Sequence, residues 1–160
     1  MFVGISAGQR GVLITKVPLT KDASGRIFQR CLNRLGFSSS DEFSIEPALK
    51  NCYITNLVKS RVLTPKGLNR LPTQREMLDW LPYFRQEVEK VQPEKIVALG
   101  SLVATFLRRN GFPNIVEVKH PRWYQSHGAL NPTSEAFANM VQDYKKEGLG
   151  VEEPSPPPES

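Results

Sequence analysis

Two polar side chains stand near the ends of apolar segments, where side chains can take part in chemistry. Asn56 lies at the end of the segment Cys52–Leu57, and His120 follows the segment Asn114–Val118. A carboxamide donates and accepts hydrogen bonds at once, and an imidazole can do either near neutral pH. Because functional residues of open α/β sheets gather at the carboxyl ends of the strands, we expect both side chains at one edge of a sheet.

Cations accompany both positions. The chain has 21 Lys and Arg residues against 16 Asp and Glu, a net charge of +5. This excess favours a polyanionic partner, although ordinary solubility charge also explains it. The candidate phosphate contacts lie on the two loops that follow these segments: Lys59, Arg61, Lys66, Arg70, Lys119 and Arg122.

The length of 160 residues fits one domain, expected over residues 1–147, with a disordered Pro- and Glu-rich tail over 148–160. No apolar run approaches the roughly 20 residues of a membrane span. The chain opens on a strand-like segment and not on a signal peptide, so we expect a cytoplasmic protein, and nothing indicates an obligate oligomer. Cys31 and Cys52 are expected to be free thiols, and no CxxC pair or His cluster offers a metal site.

The order of elements predicts an α/β fold, a three-layer αβα sandwich around a mainly parallel four-stranded sheet. Pro82 lies inside the second predicted helix, and we expect it to kink that helix or to break it in two. We expect Thr20 to cap the first helix. A capping box of Thr73 and Glu76 should start the second helix, and Asn131 or Thr133 should cap the last one. The predicted strands are Phe2–Ile5, Cys52–Leu57, Ile96–Leu99 and Asn114–Val118, and the predicted helices Lys21–Leu35, Thr73–Val91, Ser101–Arg109 and one that ends at Lys146.

Six segments in order, over residues 2–146, resemble the uracil-DNA glycosylase superfamily, and most closely its family 5, or B-type, enzymes. His120-Pro121 matches the terminal HPS motif, with Arg122 in place of Ser. The others are GISAG from Gly4, LTKDASG from Leu19, ITNLVK from Ile54, NRLPT from Asn69 and the strand from Pro93 to Gly100. The resemblance implies hydrolysis of the bond between the sugar and uracil, or another deaminated base such as hypoxanthine, in DNA.

The same resemblance assigns roles to the polar residues. Asp22 falls where the family has its proposed catalytic carboxylate, His120 would stabilise the charge on the departing base, and Asn56 would bind the edge of uracil. Ser6 replaces the Asp or Asn of several members, and Leu19 replaces an aromatic residue that stacks on the base. The backbone from Gly4 and Ile5 to Gly8 would complete the base site.

Each assignment has a structural alternative. Asn56 would otherwise bond backbone in a loop, His120 would cap backbone, and Asp22 would complement a helix dipole. Ser24 and Trp123 join the expected DNA contacts, with Arg122, Trp123 and Tyr124 as the wedge that fills the gap left by a flipped base. Packing of both aromatic residues against the last helix is the alternative for them.

Families 4 and 5 hold an iron–sulfur cluster on four cysteines. The segment that carries two of them is missing from this sequence, Ser60 stands at the third position, and the fourth falls near Trp80. We therefore expect no cofactor and no metal, with Trp80 filling the space. A DNA-binding protein without turnover is the first rival function. A nucleotide-binding transferase is the second, and the lack of a glycine-rich phosphate loop speaks against it.

Overall fold

The computed structural model describes residues 1–6, 22–39 and 49–150. Its strands are β1 (Phe2–Ser6), β2 (Ile54–Val58), β3 (Val97–Leu99) and β4 (Val116–Val118). Its helices are α1 (Ala23–Leu35), α2 (Gln74–Val91), α3 (Ser101–Arg109), α4 (Pro121–Gln125) and α5 (Glu135–Lys146).

The four strands form one sheet in the order β2-β1-β3-β4, and every pair is parallel. Gly4 pairs with Asn56 and Ser6 with Val58, while Phe2 pairs with Val97 on the other side of β1. All four carboxyl ends therefore lie at one edge. The predicted α/β class and parallel four-stranded sheet are confirmed.

Two apolar clusters fill the space on the two faces of the sheet. Phe2 and Ile54 pack with α1, α4 and α5, whereas Val3 and Leu57 pack with α2 and α3. Alternate residues of a strand point to opposite faces, which explains this division. The structure is thus the predicted three-layer sandwich.

Helix starts differ from the predicted ones. Asp22 caps α1, which begins at Ala23, while the expected cap Thr20 lies outside the described residues. Ser134 caps α5, because the side chain of Asn131 instead accepts hydrogen bonds from the backbone and hydroxyl groups of Thr133. The chain between Lys119 and Leu130, expected to be irregular, contains the short helix α4.

Helix α2 starts with the predicted capping box of Thr73 and Glu76. It continues unbroken from Gln74 to Val91, so of the two predicted alternatives at Pro82 the break is wrong, while the kink stays a prediction. Pro82 is exposed, and buried Met77 and Phe84 hold the helix to the core on either side of it.

Folded chain continues beyond the domain end predicted at residue 147. Leu149 is buried in the cluster that includes Phe2, and the backbone N–H of Leu149 donates to the carbonyl of Tyr144. Residues 151–160 of the predicted tail lie outside the described residues. Within the part that the structure describes, no helix is long and apolar enough to cross a membrane.

Candidate active site

Three polar residues of the site come from three elements at the carboxyl edge of the sheet. Asn56 belongs to β2, Asp22 caps the amino end of α1, and His120 caps that of α4. Asn56 has the strand parity of Ile54, which packs toward α1, so it points to the face that carries both helix ends. The fold therefore brings the three predicted residues to one face and one edge.

Asn56 lies inside β2 and not at its end, since the strand continues to Val58. It is 6% exposed, and its backbone is paired with that of Gly4. The carbonyl of Asn56 accepts a hydrogen bond of 2.6 Å from the ammonium of Lys59. The side-chain amide of Asn56 carries both a donor and an acceptor, as the edge of a base requires.

His120 uses one ring nitrogen to cap α4. Nδ1 accepts a hydrogen bond of 3.0 Å from the backbone N–H of Arg122, so the proton of the neutral ring is on Nε2. Burial and the charge of Arg122 lower the pKa of His120 from 6.5 to about 4, and the charge of Asp22 opposes them. His120 is thus a neutral hydrogen-bond donor at pH 7, with a capping role as well.

Asp22 has a structural role of the kind that its alternative interpretation expected. Oδ1 accepts a hydrogen bond of 2.7 Å from the backbone N–H of Gly25 and caps α1. Its charge also acts on His120, which shows that the two side chains share one electrostatic environment. A carboxylate has a second oxygen, so capping does not exclude a contact with a substrate.

Ser24 fixes the relation between the two helix ends. Its hydroxyl donates a hydrogen bond of 2.9 Å to Oε1 of Gln125, the last residue of α4, and Ser24 is 6% exposed. The link ties α1 to α4 and so holds Asp22 beside His120. This role was not expected from the sequence, in which Ser24 was a predicted DNA contact.

The carboxyl end of β1 completes the site next to Asn56. Gly4 is buried there, and Ile5 and Ser6 are half-buried. The other predicted base contacts, Gly8 and Leu19, lie outside the described residues.

Lys59 was a predicted phosphate contact, but three protein groups occupy its ammonium. These are the carbonyl of Asn56, the hydroxyl of Thr55 at 2.8 Å and the carboxylate of Glu87 at 2.9 Å. Burial acts to raise the pKa of Glu87, but hydrogen bonds from Lys59, Tyr53 and Thr55 hold it below its usual range. An acid from α2 therefore pairs with Lys59, and a phosphate contact at this residue stays a prediction.

Arg70, a second predicted phosphate contact, is also paired. Its guanidinium binds both carboxylate oxygens of Glu76, at 2.7 and 3.1 Å, and Nε donates to the carbonyl of Leu63. The side chain therefore organises its own loop, although it is exposed, and its contact with phosphate stays a prediction.

The remaining cations that were predicted to contact phosphates differ in their exposure and in their partners. Lys66 and Arg122 are exposed, and Arg61 is half-buried with its Nε atom enclosed and without a partner. The ammonium of Lys119 lies 3.7 Å from the centroid of the Trp123 ring. Lys66 and Arg122 are therefore the best placed to meet phosphates.

Trp123 is 43% exposed, as a wedge requires, but its ring also stacks on His127 with centroids 4.2 Å apart. Tyr124 cannot act as a wedge. It is 1% exposed and donates a hydrogen bond of 2.6 Å to Asp143 of α5. The packing alternative thus holds for Tyr124 and not for Trp123.

The cysteines of this sequence do not fit a four-thiolate cluster. Burial raises the pKa of Cys31 to about 12 and also raises that of Cys52, which opposes the thiolate form that binds metals. Ser60 is exposed, and the ring of Trp80 packs on Tyr83 with centroids 5.3 Å apart. Over residues 1–6, 22–39 and 49–150, no three His, Cys, Asp or Glu side chains form a metal-binding group.

Comparison with known proteins agrees with this architecture. The model of the uracil DNA glycosylase superfamily matches residues 1–145, and the chain belongs to that superfamily. It is 35% identical over 85 residues to a type-4 uracil-DNA glycosylase of Pyrobaculum aerophilum, covering 53% of this chain and 36% of that protein. It is 32% identical over 108 residues to a type-4 uracil-DNA glycosylase of Saccharolobus solfataricus, covering 67% and 43%. The matched regions thus span less than half the length of either relative.

Proposed function

We propose that this protein is a DNA glycosylase that hydrolyses the N-glycosidic bond of uracil, or of another deaminated base, in DNA. The observation that carries the proposal is the neutral His120, whose Nε2 proton is free for a ligand beside Asp22. Membership of the superfamily and the names of the two relatives support it.

Each group has a distinct task in this reaction. The side-chain amide of Asn56 donates to O4 and accepts from N3–H of a uracil turned out of the stack. Nε2–H of His120 donates to O2, where negative charge develops as the C–N bond breaks. The second oxygen of Asp22 faces the positive sugar and orients the water that adds to C1′. That water releases one proton to solvent as its oxygen bonds to C1′, and the departing base anion takes up one proton, so the products are the free base and an abasic site.

We further propose that the protein works without an iron–sulfur cluster, as a member of the B-type branch. The motifs and the two unsuitable cysteines support this, although the relatives carry the type-4 name. Iron analysis and the absorption spectrum of anaerobically purified protein test it, since stoichiometric iron contradicts it. DNA as partner, a monomeric state and a cytoplasmic location belong to the same proposal.

The second candidate function is DNA or lesion binding without turnover. The capping role of Asp22 favours it, because a carboxylate that only caps the start of a helix leaves the site without a general base. Ser6 does not fill that gap, since a hydroxyl is a poor general base.

Strand incision after alkali treatment decides between the two functions. The substrates are labelled oligonucleotides that carry one uracil, hypoxanthine or thymine, single-stranded and in duplexes. We expect product from wild type and a loss of about 100-fold or more in Asn56→Ala and His120→Gln. His127→Gln is the matched control for the other histidine, which stacks on Trp123 at the surface.

Asp22→Asn separates the two roles of Asp22, because Asn also caps helices but has no charge. We expect the variant to fold normally and to lose about 100-fold or more in rate. Full activity in Asp22→Asn would restrict Asp22 to capping. Absence of product from wild type on all substrates, with DNA binding retained, would favour the non-catalytic function.

A further inference from the structure

Strand β2 is an outer strand of the sheet in the described part of the chain. The backbone N–H of Phe2 donates to the carbonyl of Tyr53 at 2.7 Å, so Tyr53 turns its carbonyl toward β1. Successive carbonyls of a strand point to opposite sides, so those of the even-numbered residues turn away from β1. The carbonyl of Asn56 therefore points to the open side of the sheet, where β1 cannot bond it.

Lys59 supplies a partner for this carbonyl. Its ammonium nitrogen lies 2.6 Å from the carbonyl oxygen of Asn56, closer than its distances to the hydroxyl of Thr55, 2.8 Å, and to the carboxylate of Glu87, 2.9 Å. Asn56 is only 6% exposed, so water is a poor substitute for this hydrogen bond. The ammonium thus bonds the peptide that carries Asn56 from the open side of the sheet.

Glu87 of α2 holds the ammonium in this position. Its carboxylate also accepts hydrogen bonds from the hydroxyls of Tyr53, at 2.7 Å, and of Thr55, at 2.8 Å. Burial acts to raise the pKa of Glu87, but the hydrogen bonds that it accepts hold the pKa below its usual range, so the group is charged at pH 7. The Lys59 cluster, which consists of Tyr53, Thr55, Lys59 and Glu87, therefore ties β2 to α2.

The peptide of Asn56 links this cluster to the active site. Thr55 meets Glu87 on the face of α2, whereas Asn56, one residue later, turns its side chain to the face of α1 and α4. A tilt of the Asn56 peptide moves the Cα atom and with it the amide. A shift of about 1 Å in a group that binds the reacting part of a substrate can cost up to about 100-fold in rate.

We propose that Lys59 is a positioning residue for Asn56: its ammonium, held by Glu87, fixes the peptide of Asn56 and so aims the amide at the edge of the target base. Lys59 itself does not contact the base. The proposal rests on the proposed function, in which the amide of Asn56 binds uracil. It deepens that function, because it gives Lys59 a task other than a contact with phosphate.

A double-mutant cycle tests whether Lys59 acts through Asn56. Single-turnover rates on uracil at saturating DNA are measured for Lys59→Met, Asn56→Ala and the double variant. We expect Lys59→Met to lose about tenfold or more in the wild-type background. In the Asn56→Ala background the same change should cost less than about twofold, because the amide that Lys59 positions is gone. Equal losses in the two backgrounds, or no loss in wild type, would overturn the proposal.

Two further variants separate positioning from a contact with phosphate. Lys59→Arg keeps a donor for the carbonyl of Asn56 and should recover most of the rate that Lys59→Met loses. Glu87→Ala releases the ammonium, which would strengthen a phosphate contact but remove the positioning. We therefore expect Glu87→Ala to lose about as much rate as Lys59→Met, about tenfold or more. An unchanged or higher rate at saturating DNA would contradict the proposal.

Leu149→Ala is the matched control for a loss of stability. Leu149 packs in the core cluster of Phe2, away from Glu87 and Lys59, and is only 6% exposed, so its truncation also destabilises the fold. All rates are measured well below the unfolding temperature of each variant. Leu149→Ala should keep its rate within about twofold of wild type. A loss as large as that of Lys59→Met would show that the rate follows stability and would reject the positioning role.

A second readout tests the positioning even if the protein cleaves nothing. The side-chain N–H resonances of Asn56, identified by their absence in Asn56→Ala, report on the amide without any reaction. We expect Lys59→Met to shift or broaden them, and Lys59→Arg and Leu149→Ala to leave them close to wild type. Unchanged resonances in Lys59→Met would reject the positioning role, whereas a shift in a protein that shows no cleavage would reject only the glycosylase.

Discussion

At the scale of a single residue, the surroundings of His120 keep its ring neutral at pH 7. Its pKa of about 4 lies below the ordinary 6.5, so the folded protein binds fewer protons than the unfolded chain between these values. We therefore expect stability to be complete above about pH 6.5 and to fall as the pH drops toward 4. Protonation of Nδ1 would also turn this atom into a donor that faces the backbone N–H of Arg122, so the hydrogen bond between them would be lost.

Histidine NMR and denaturant unfolding between pH 4 and 7 measure both effects. The resonance of His120 should titrate near pH 4, and His120→Gln should remove its part of the stability slope in this range. A midpoint near 6.5 would show that the ring is solvated and would remove the argument for a neutral donor.

Lys59 leads to a prediction about stability and not about DNA affinity. Lys59→Met leaves the half-buried Glu87 without its cation, so we expect a loss of about 1–3 kcal/mol in the free energy of unfolding. The dependence of DNA affinity on salt should stay unchanged. Urea unfolding and fluorescence anisotropy at several salt concentrations measure the two quantities.

Lys66→Met is the matched control, because Lys66 is exposed and makes none of the salt bridges found among the described residues. It should keep its stability within about 0.5 kcal/mol and reduce the salt slope by about 1. A reduced slope in Lys59→Met as well would show that the ammonium leaves Glu87 for a phosphate.

The sequence reveals the types of site residues but not their partners. The sequence places Asn56 and His120 near the carboxyl edge of the sheet because strand patterns and residue chemistry are local properties, although β2 continues past Asn56 to Val58. Lys59 and Arg70 were indistinguishable from free cations, since the acids that pair with them, Glu87 and Glu76, lie on α2 and meet them only in the fold.

At the scale of elements, local signals located α2 well and missed α4. The capping box of Thr73 and Glu76 is a short-range pattern that the structure confirms. Helix α4 is only 5 residues long, too short for a periodic apolar pattern, and it begins with a proline after the His120 cap. Helix Gln74–Val91 shows that tertiary packing overrides the tendency of Pro82 to break it.

Pro82→Ala should therefore stabilise the protein. Alanine restores the backbone donor that proline lacks within the helix, and part of this gain is offset because alanine gives the unfolded chain more freedom. We expect an increase of about 1–2 kcal/mol in the free energy of unfolding, measured with urea. Pro82→Gly should gain about 1 kcal/mol less, and a loss in Pro82→Ala would show that the packing of α2 requires the proline.

At the scale of the whole molecule, the predicted sandwich follows from the alternation of strands and helices, which the sequence displays directly. The end of the domain could not be predicted in this way, because Gly148-Leu149-Gly150 has the composition of a linker. Leu149 lies in the core because it follows α5, which packs in the same cluster as Phe2 and Leu35.

Leu149→Ala tests this late part of the core. Because the side chain is 6% exposed, we expect a loss of about 2–4 kcal/mol in the free energy of unfolding. Leu130→Ala, at a site that is 41% exposed, should change it by less than about 0.5 kcal/mol. Thermal and urea unfolding measure both variants, and equal small effects would place Leu149 outside the cooperative unit.

The strand order has a consequence for how the chain folds. β1 lies inside the sheet between β2 and β3, so Phe2 pairs with Ile54 and Val97, which both lie far along the chain. Such distant pairings must close long loops before any contact compensates their entropy, which slows folding. A ribosome therefore releases more than half of the protein before the central strand acquires its second neighbour, and until then that strand has one unpaired edge available for wrong association.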